Sequence, residues 1–143
     1  MVPWLHISRQ LNFDRFLHAS LQLAALRECT SVHEVEAMLA AFPYDIEDLY
    51  LLTWERIRNQ TPAKALLAQT VLVWVLTATR SLTVEELQYA VATCSVTYKF
   101  QRSRLVHEDI LVGICRGLVS IEEPTGLVRL VRESLYEPYL YLI

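Results

Sequence analysis

The sequence predicts a mainly α chain, a three-helix segment followed by three further helices and a small β-hairpin. Three observations carry this. Ser31 with Glu34 and Thr83 with Glu86 both have the spacing of a helix-opening capping box. Apolar residues recur at helical spacing through most of the chain. Two short apolar runs near the C-terminal end, Leu118–Glu122 and Leu127–Val131, flank Glu123-Pro124-Thr125-Gly126, a turn with glycine placed for φ > 0. Composition agrees with a packed domain. The 143 residues are 53% hydrophobic and 20% charged, with a formal net charge of −3. Such a chain is too apolar for disorder and can bury about 68–70% of its unfolded surface.

In the first segment, Phe13, Phe16, Leu17, Leu21, Ala24 and Ala25 form one helical stripe, predicting a helix from Phe13 to Glu28. Ser31 opens a second helix, which Phe42-Pro43 closes at about Ala41. Asp45 caps a third, with Ile46, Leu49, Tyr50, Thr53, Trp54 and Ile57 on its core face. Asn59-Gln60-Thr61 is the expected boundary, making residues 1–60 a helical segment and 61–143 a second domain.

The second domain opens with Thr61 as N-cap and Pro62 at the first helical position, ahead of an almost wholly apolar run to Thr79. A helix apolar all round belongs at the centre of the packing. Trp74, in mid-run, is therefore expected in the core. Arg80-Ser81-Leu82 is a short extended link. Thr83 opens a helix expected to bury Val84, Leu87, Ala90 and Val91. Thr93 to Val106 is the least regular stretch. A helix from His107 to about Gly117 should bury Ile110, Leu111, Ile114 and Cys115, and the hairpin follows. Helix, extended link, helix, helix, hairpin is the order of a winged helix.

That order raises DNA binding, because helix-turn-helix modules place a helix in a groove. The side chains argue otherwise. The helix that would read the groove opens His107-Glu108-Asp109 and carries only Arg116 as a base, at its far end. Lys99, Arg102 and Arg104 precede it, and Arg129 and Arg132 flank the wing. A DNA-binding winged helix is thus the alternative reading.

Catalytic signatures are missing from the sequence. There is no phosphate-binding G-x-x-x-x-G-K-[ST] and no G-x-S-x-G elbow. His6, His18, His33 and His107 lack metal-ligand spacing. Glu85-Glu86 and Glu122-Glu123 are adjacent pairs that cannot face one substrate. Cys29, Cys94 and Cys115 are far apart, which reads as buried free thiols in a reducing compartment. No catalytic residue, metal ligand or cofactor is expected. The longest apolar stretch, Ala63–Thr79, includes Lys64 and Gln69 and falls short of the roughly 18 unbroken residues of a membrane span. The start, Met-Val-Pro-Trp-Leu-His, lacks a signal peptide's charged and apolar regions. An intracellular, cytoplasmic protein is expected, with Asn59-Gln60-Thr61 a chance glycosylation sequon.

Several segments together resemble fungal NACHT-type STAND NTPases. Phe42-Pro43, Asp45-Ile-Glu-Asp-Leu-Tyr50 and Glu55-Arg-Ile57 resemble that family's LP-x-x-L-x-x-x-Y-x-x-x-x-x-R-I. Val73-Trp-Val75 and Arg80-Ser-Leu-Thr-Val-Glu-Glu-Leu87 resemble its W-V and R-P-L-T-x-x-E-L. Cys115-x-Gly-Leu-Val119 and Val128-Arg-Leu-Val131, leading to Ser134, resemble C-x-G-L-V and V-R-L-V-H-x-S-x-x-E-Y-L. The resemblance spans about Phe13 to Leu140. It implies the unit that follows an NTPase core and precedes ankyrin or similar repeats, its winged helix of the type labelled after GPI inositol-deacylase, with no deacylase chemistry. The partners implied are that NTPase core and repeat domain, in cis or in trans. Arg132 stands where the family has a histidine that can touch nucleotide phosphate, so Arg132 is a candidate phosphate contact in an intact parent, or a surface arginine. Pro138 interrupts the closing E-Y-L as Glu137-Pro-Tyr-Leu140. The implied function is a non-catalytic module that biases a conformational switch. The third reading is a truncated gene product without a role of its own.

Overall fold

A computed structural model describes residues 17–43, 45–93 and 96–131, apart from the Ile46 side chain. Phe13, Phe16, Cys94, Arg132, Ser134 and Glu137–Leu140 lie outside the described residues. The chain divides into two compact units between Arg56 and Ile57.

The first unit is helical. Residues 17–26 form α1, which buries Leu17, Leu21 and Ala25, one residue per turn along one face. Helix α2 is Val32–Ala41. Its Glu34 N–H donates to Ser31 Oγ (3.2 Å), as the capping pattern predicts. The reciprocal contact differs: the Glu34 carboxylate accepts from the N–H (2.6 Å) and hydroxyl (3.0 Å) of Thr30, one residue before the cap. Helix α3, Ile46–Arg58, starts with the Glu47 N–H donating to Asp45 Oδ1 (3.2 Å). Leu49, Tyr50, Thr53, Trp54 and Ile57 are buried as the stripe predicts. Thr53 is tolerated there because its hydroxyl donates to Leu49 O at 2.8 Å.

The second unit runs α4 (Pro62–Thr77), α5 (Val84–Ala92), a 3₁₀ turn (Arg102–Arg104), α6 (Glu108–Gly113), β1 (Val119–Glu122) and β2 (Leu127–Leu130). Strands β1 and β2 are antiparallel, pairing Val119 with Leu130 and Glu122 with Leu127. Gly126, at φ 68°, closes the turn between them in the left-handed region that glycine adopts without a Cβ penalty. The extended link also joins the sheet. The Val128 N–H donates to Leu82 O (2.7 Å) and the Val84 N–H to Gly126 O (3.0 Å), with Thr83 bridged to Leu127. Ala68, Val71, Leu72 and Leu76 of α4, Leu87 and Ala92 of α5, and Leu111, Ile114, Cys115, Leu118, Val119 and Val128 supply the core. Gln60 ties the start of this unit to the turn after α6, donating to Ile57 O (3.2 Å) and Ile114 O (2.9 Å). This mainly helical chain with a two-stranded antiparallel wing has winged-helix architecture.

Four expectations are corrected. Trp74 is 42% exposed and Val73 38%, so neither is core. A helix apolar on every side has no periodicity to say which side packs, and the neighbours selected Ala68, Val71, Leu72 and Leu76 instead. Thr61 precedes α4, but its side chain makes no capping hydrogen bond. Helix α6 stops at Gly113 rather than Gly117, and residues 114–117 form a turn in which Arg116 (φ 52°) and Gly117 (φ 90°) are left-handed. Ile110 is correspondingly 50% exposed, whereas Leu111, Ile114 and Cys115 are buried. In α5, Leu87 is buried while Val84, Ala90 and Val91 are only half-buried.

Candidate interaction surface

Among the described residues no three His, Cys, Asp or Glu side chains gather as a metal site. Cys115 is fully buried, its thiol donates to Leu111 O (3.4 Å), and burial pushes its pKa up to about 12. A thiol so held is not a nucleophile at neutral pH. Cys29 is half-buried, 3.9 Å from both Ala25 O and Met38 Sδ. His18 Nε2 contacts Pro43 O (2.8 Å), and His107 Nδ1 accepts from the Asp109 N–H (3.3 Å) at the start of α6.

The charges around the link and the wing are used for structure. Arg80 donates to Glu86 from both terminal guanidinium nitrogens (2.9 and 2.6 Å). Glu86 also accepts from the Thr83 N–H (2.9 Å), and the Glu86 N–H donates to Thr83 Oγ1 (3.2 Å), completing a capping box. The Arg80 guanidinium first, and the Thr83 N–H next, hold the Glu86 carboxyl down at about 2, and Arg80 is raised in turn. Across the wing, Arg129 Nε donates to Glu122 Oε2 (3.1 Å). The Thr125 hydroxyl and then Arg129 lower the Glu122 carboxyl. A shallow groove of about 430 Å³ between the end of α4 and β2 is lined by Arg80 and Arg129, each already facing its own glutamate.

Two exposed groups stand apart from these pairs, one apolar and one cationic. Leu66 (66% exposed), Val73 and Trp74 lie seven and eight residues apart on α4, hence on one helix face, opposite the buried Ala68, Val71 and Leu72. In the first unit α2 buries no residue, although Val32, Ala37, Leu39 and Ala40 are apolar. Lys99, Arg102 and Arg104 are exposed, beside Tyr98, Phe100 and Tyr89. The sequence flagged these three bases. It does not flag the α4 stripe, because Trp74 reads as core in a helix that is apolar on every side.

The segments compared above with STAND proteins have a structural explanation. Arg80, Thr83 and Glu86 form the ion pair and capping box, and Leu87 is core. In Cys115-x-Gly-Leu-Val119, three side chains are buried and Gly117 takes a positive φ. Val128 is buried, and Arg129 pairs with Glu122. These positions build a winged helix and its wing. Residues 54–141 match the family described as "GPI inositol-deacylase, winged helix domain", and the chain belongs to that family. Comparison with curated proteins and with solved structures gave no match.

Proposed function

We propose that this chain is a non-catalytic regulatory and interaction module of a STAND-type NTPase. The observation that carries the reading is the apolar stripe Leu66, Val73 and Trp74 on the central helix of the winged helix. Large apolar side chains aligned on one face, with a tryptophan among them, have the chemistry of an interface anchor. The resemblance to NACHT-type proteins supplies the partner, an NTPase core, with residues 1–60 as the C-terminal part of a NACHT-like module and 61–143 as the winged-helix domain. The exposed α2 offers that core a second apolar surface.

The mechanism is differential packing. A module shifts a conformational equilibrium only by as much as its affinity for the two states differs. Packing the α4 stripe against one state of the core and not the other supplies such a difference. The module itself performs no chemistry, and Arg132 is its one candidate contact to a nucleotide phosphate, in an intact parent. Duplex DNA suits the module poorly, because the exposed Glu108 and Asp109 open α6 and would face phosphates.

A photoreactive residue at position 73, introduced in the native cell, should capture a polypeptide that carries a phosphate-binding loop, and Trp74→Ala should abolish the capture. Capture of DNA, or of an NTPase-free partner, would overturn the reading. The purified chain should neither bind nor hydrolyse ATP or GTP. Micromolar nucleotide affinity by calorimetry would contradict its non-catalytic role.

A further inference from the structure

The loop between α5 and the 3₁₀ turn carries a surface that the packing of a regulatory module does not use. From Leu87 to His107 the sequence contains no Asp or Glu, yet it holds Lys99, Arg102 and Arg104. All three are exposed, and among the described residues none has an acidic partner. Directly before them stand Val96 and Tyr98, at 83% and 85% the most exposed large apolar side chains of the described residues. Tyr98 adopts φ 52°, a conformation that bulky residues keep only where the surroundings impose it.

The surroundings are fixed by backbone bonds. Thr93 is bridged to Phe100, and the Gln101 N–H donates to Ala92 O (3.1 Å). Tyr89 and Phe100 pack ring against ring, with centroids 5.0 Å apart. Gln88 Nε2 donates to Val106 O (2.9 Å), returning the chain to α5. The loop is thus fastened at its base, with an aliphatic residue and an amphipathic ring held out in solvent.

We propose that this loop is a peripheral docking site for an anionic lipid surface: Val96 and Tyr98 enter the headgroup region while Lys99, Arg102 and Arg104 meet the lipid phosphates and carboxylates. Charge complementarity and side-chain type together select this occupant. Tyrosine favours the membrane–water interface, and arginine and lysine extend their charges from an apolar stem. Each cation near an anionic leaflet adds attraction that salt screens. Nucleic acid fits less well. Val96 has no ring face for a base, and Phe100 and Tyr89 already engage each other, which leaves Tyr98 as the loop's one ring open to stacking.

The test is flotation of the purified chain with vesicles of phosphatidylcholine alone and of equimolar phosphatidylcholine and phosphatidylserine. Partitioning should be at least about tenfold stronger on the anionic vesicles and should weaken with salt. Lys99→Glu/Arg102→Glu should remove that preference, and Val96→Ser/Tyr98→Ala should lower partitioning further. These side chains are exposed, so circular dichroism and the melting temperature should match the wild type. Equal partitioning to both vesicles by a folded chain overturns the proposal. Binding to a single-stranded oligonucleotide that the same substitutions abolish, without lipid binding, would overturn it too.

Discussion

The corner formed by the link and the wing and the loop after α5 hold charged residues in opposite ways. At the corner, Arg80 engages Glu86 and Arg129 engages Glu122, and the carboxylates also serve a helix cap and a turn. In the loop, Lys99, Arg102 and Arg104 face solvent with no acidic partner among the described residues, next to exposed aromatic rings. The first arrangement spends its polar groups on the fold. The second leaves them in solvent. Sequence motifs therefore mislead when read as function: Arg80-to-Leu87 is the more recognisable motif, and its role is structural.

Core truncation beneath the corner should have the largest effect. Leu118, 1% exposed just before β1, should cost about 2–5 kcal/mol when changed to Ala, read as a fall in the urea midpoint. Thr83→Ala removes the cap of α5 and should cost about 1 kcal/mol in the same experiment. A loss as large as that of Leu118→Ala would mean that the corner depends on the cap more than on its core.

The corner should also carry a pH signature. The Glu86 carboxyl is lowered in the folded chain from 4.5 to about 2. Its stabilising effect is full above the unfolded value of 4.5 and is lost as pH falls from there through about 2. Glu34 and Glu122 are lowered as well and add to the same slope. Glu86→Gln should flatten the decline of the unfolding midpoint across that window, and an unchanged profile would detach Glu86 from corner stability. The smallest effects belong to the loop. Lys99→Glu, Arg102→Glu and Arg104→Glu should each stay within about 0.5 kcal/mol of the wild type. A larger loss would place these cations in the fold, on the same footing as Arg80.

Local chemistry made much of this fold legible. Ser31, Asp45 and Thr83 cap helices within three residues of themselves, Phe42-Pro43 ends α2, and Gly126 turns the wing, all through neighbours in sequence. Non-local choices were not legible. Nothing in the Ala63–Thr79 run says which side of α4 meets α5 and β2, so Trp74 reads as core from sequence and stands on the surface. Ile110 reads as part of a four-residue stripe on a helix reaching Gly117, yet α6 ends after six residues and leaves it half exposed. The interaction surface was legible only in its cations, since a free base differs from a paired one by the position of a distant glutamate.

Helix α4 turns one face, with Leu72, into the fold and the other, with Trp74, to solvent, where the partner is proposed to pack. Leu72 and Trp74 stand two residues apart on that helix, 2% and 42% exposed. The direct measurement is urea denaturation of Leu72→Ala beside Trp74→Ala. Leu72→Ala should lose about 2–5 kcal/mol and Trp74→Ala, whose ring already meets water, no more than about 1 kcal/mol. Equal losses would make Trp74 a core residue, and the interface on α4 would not exist.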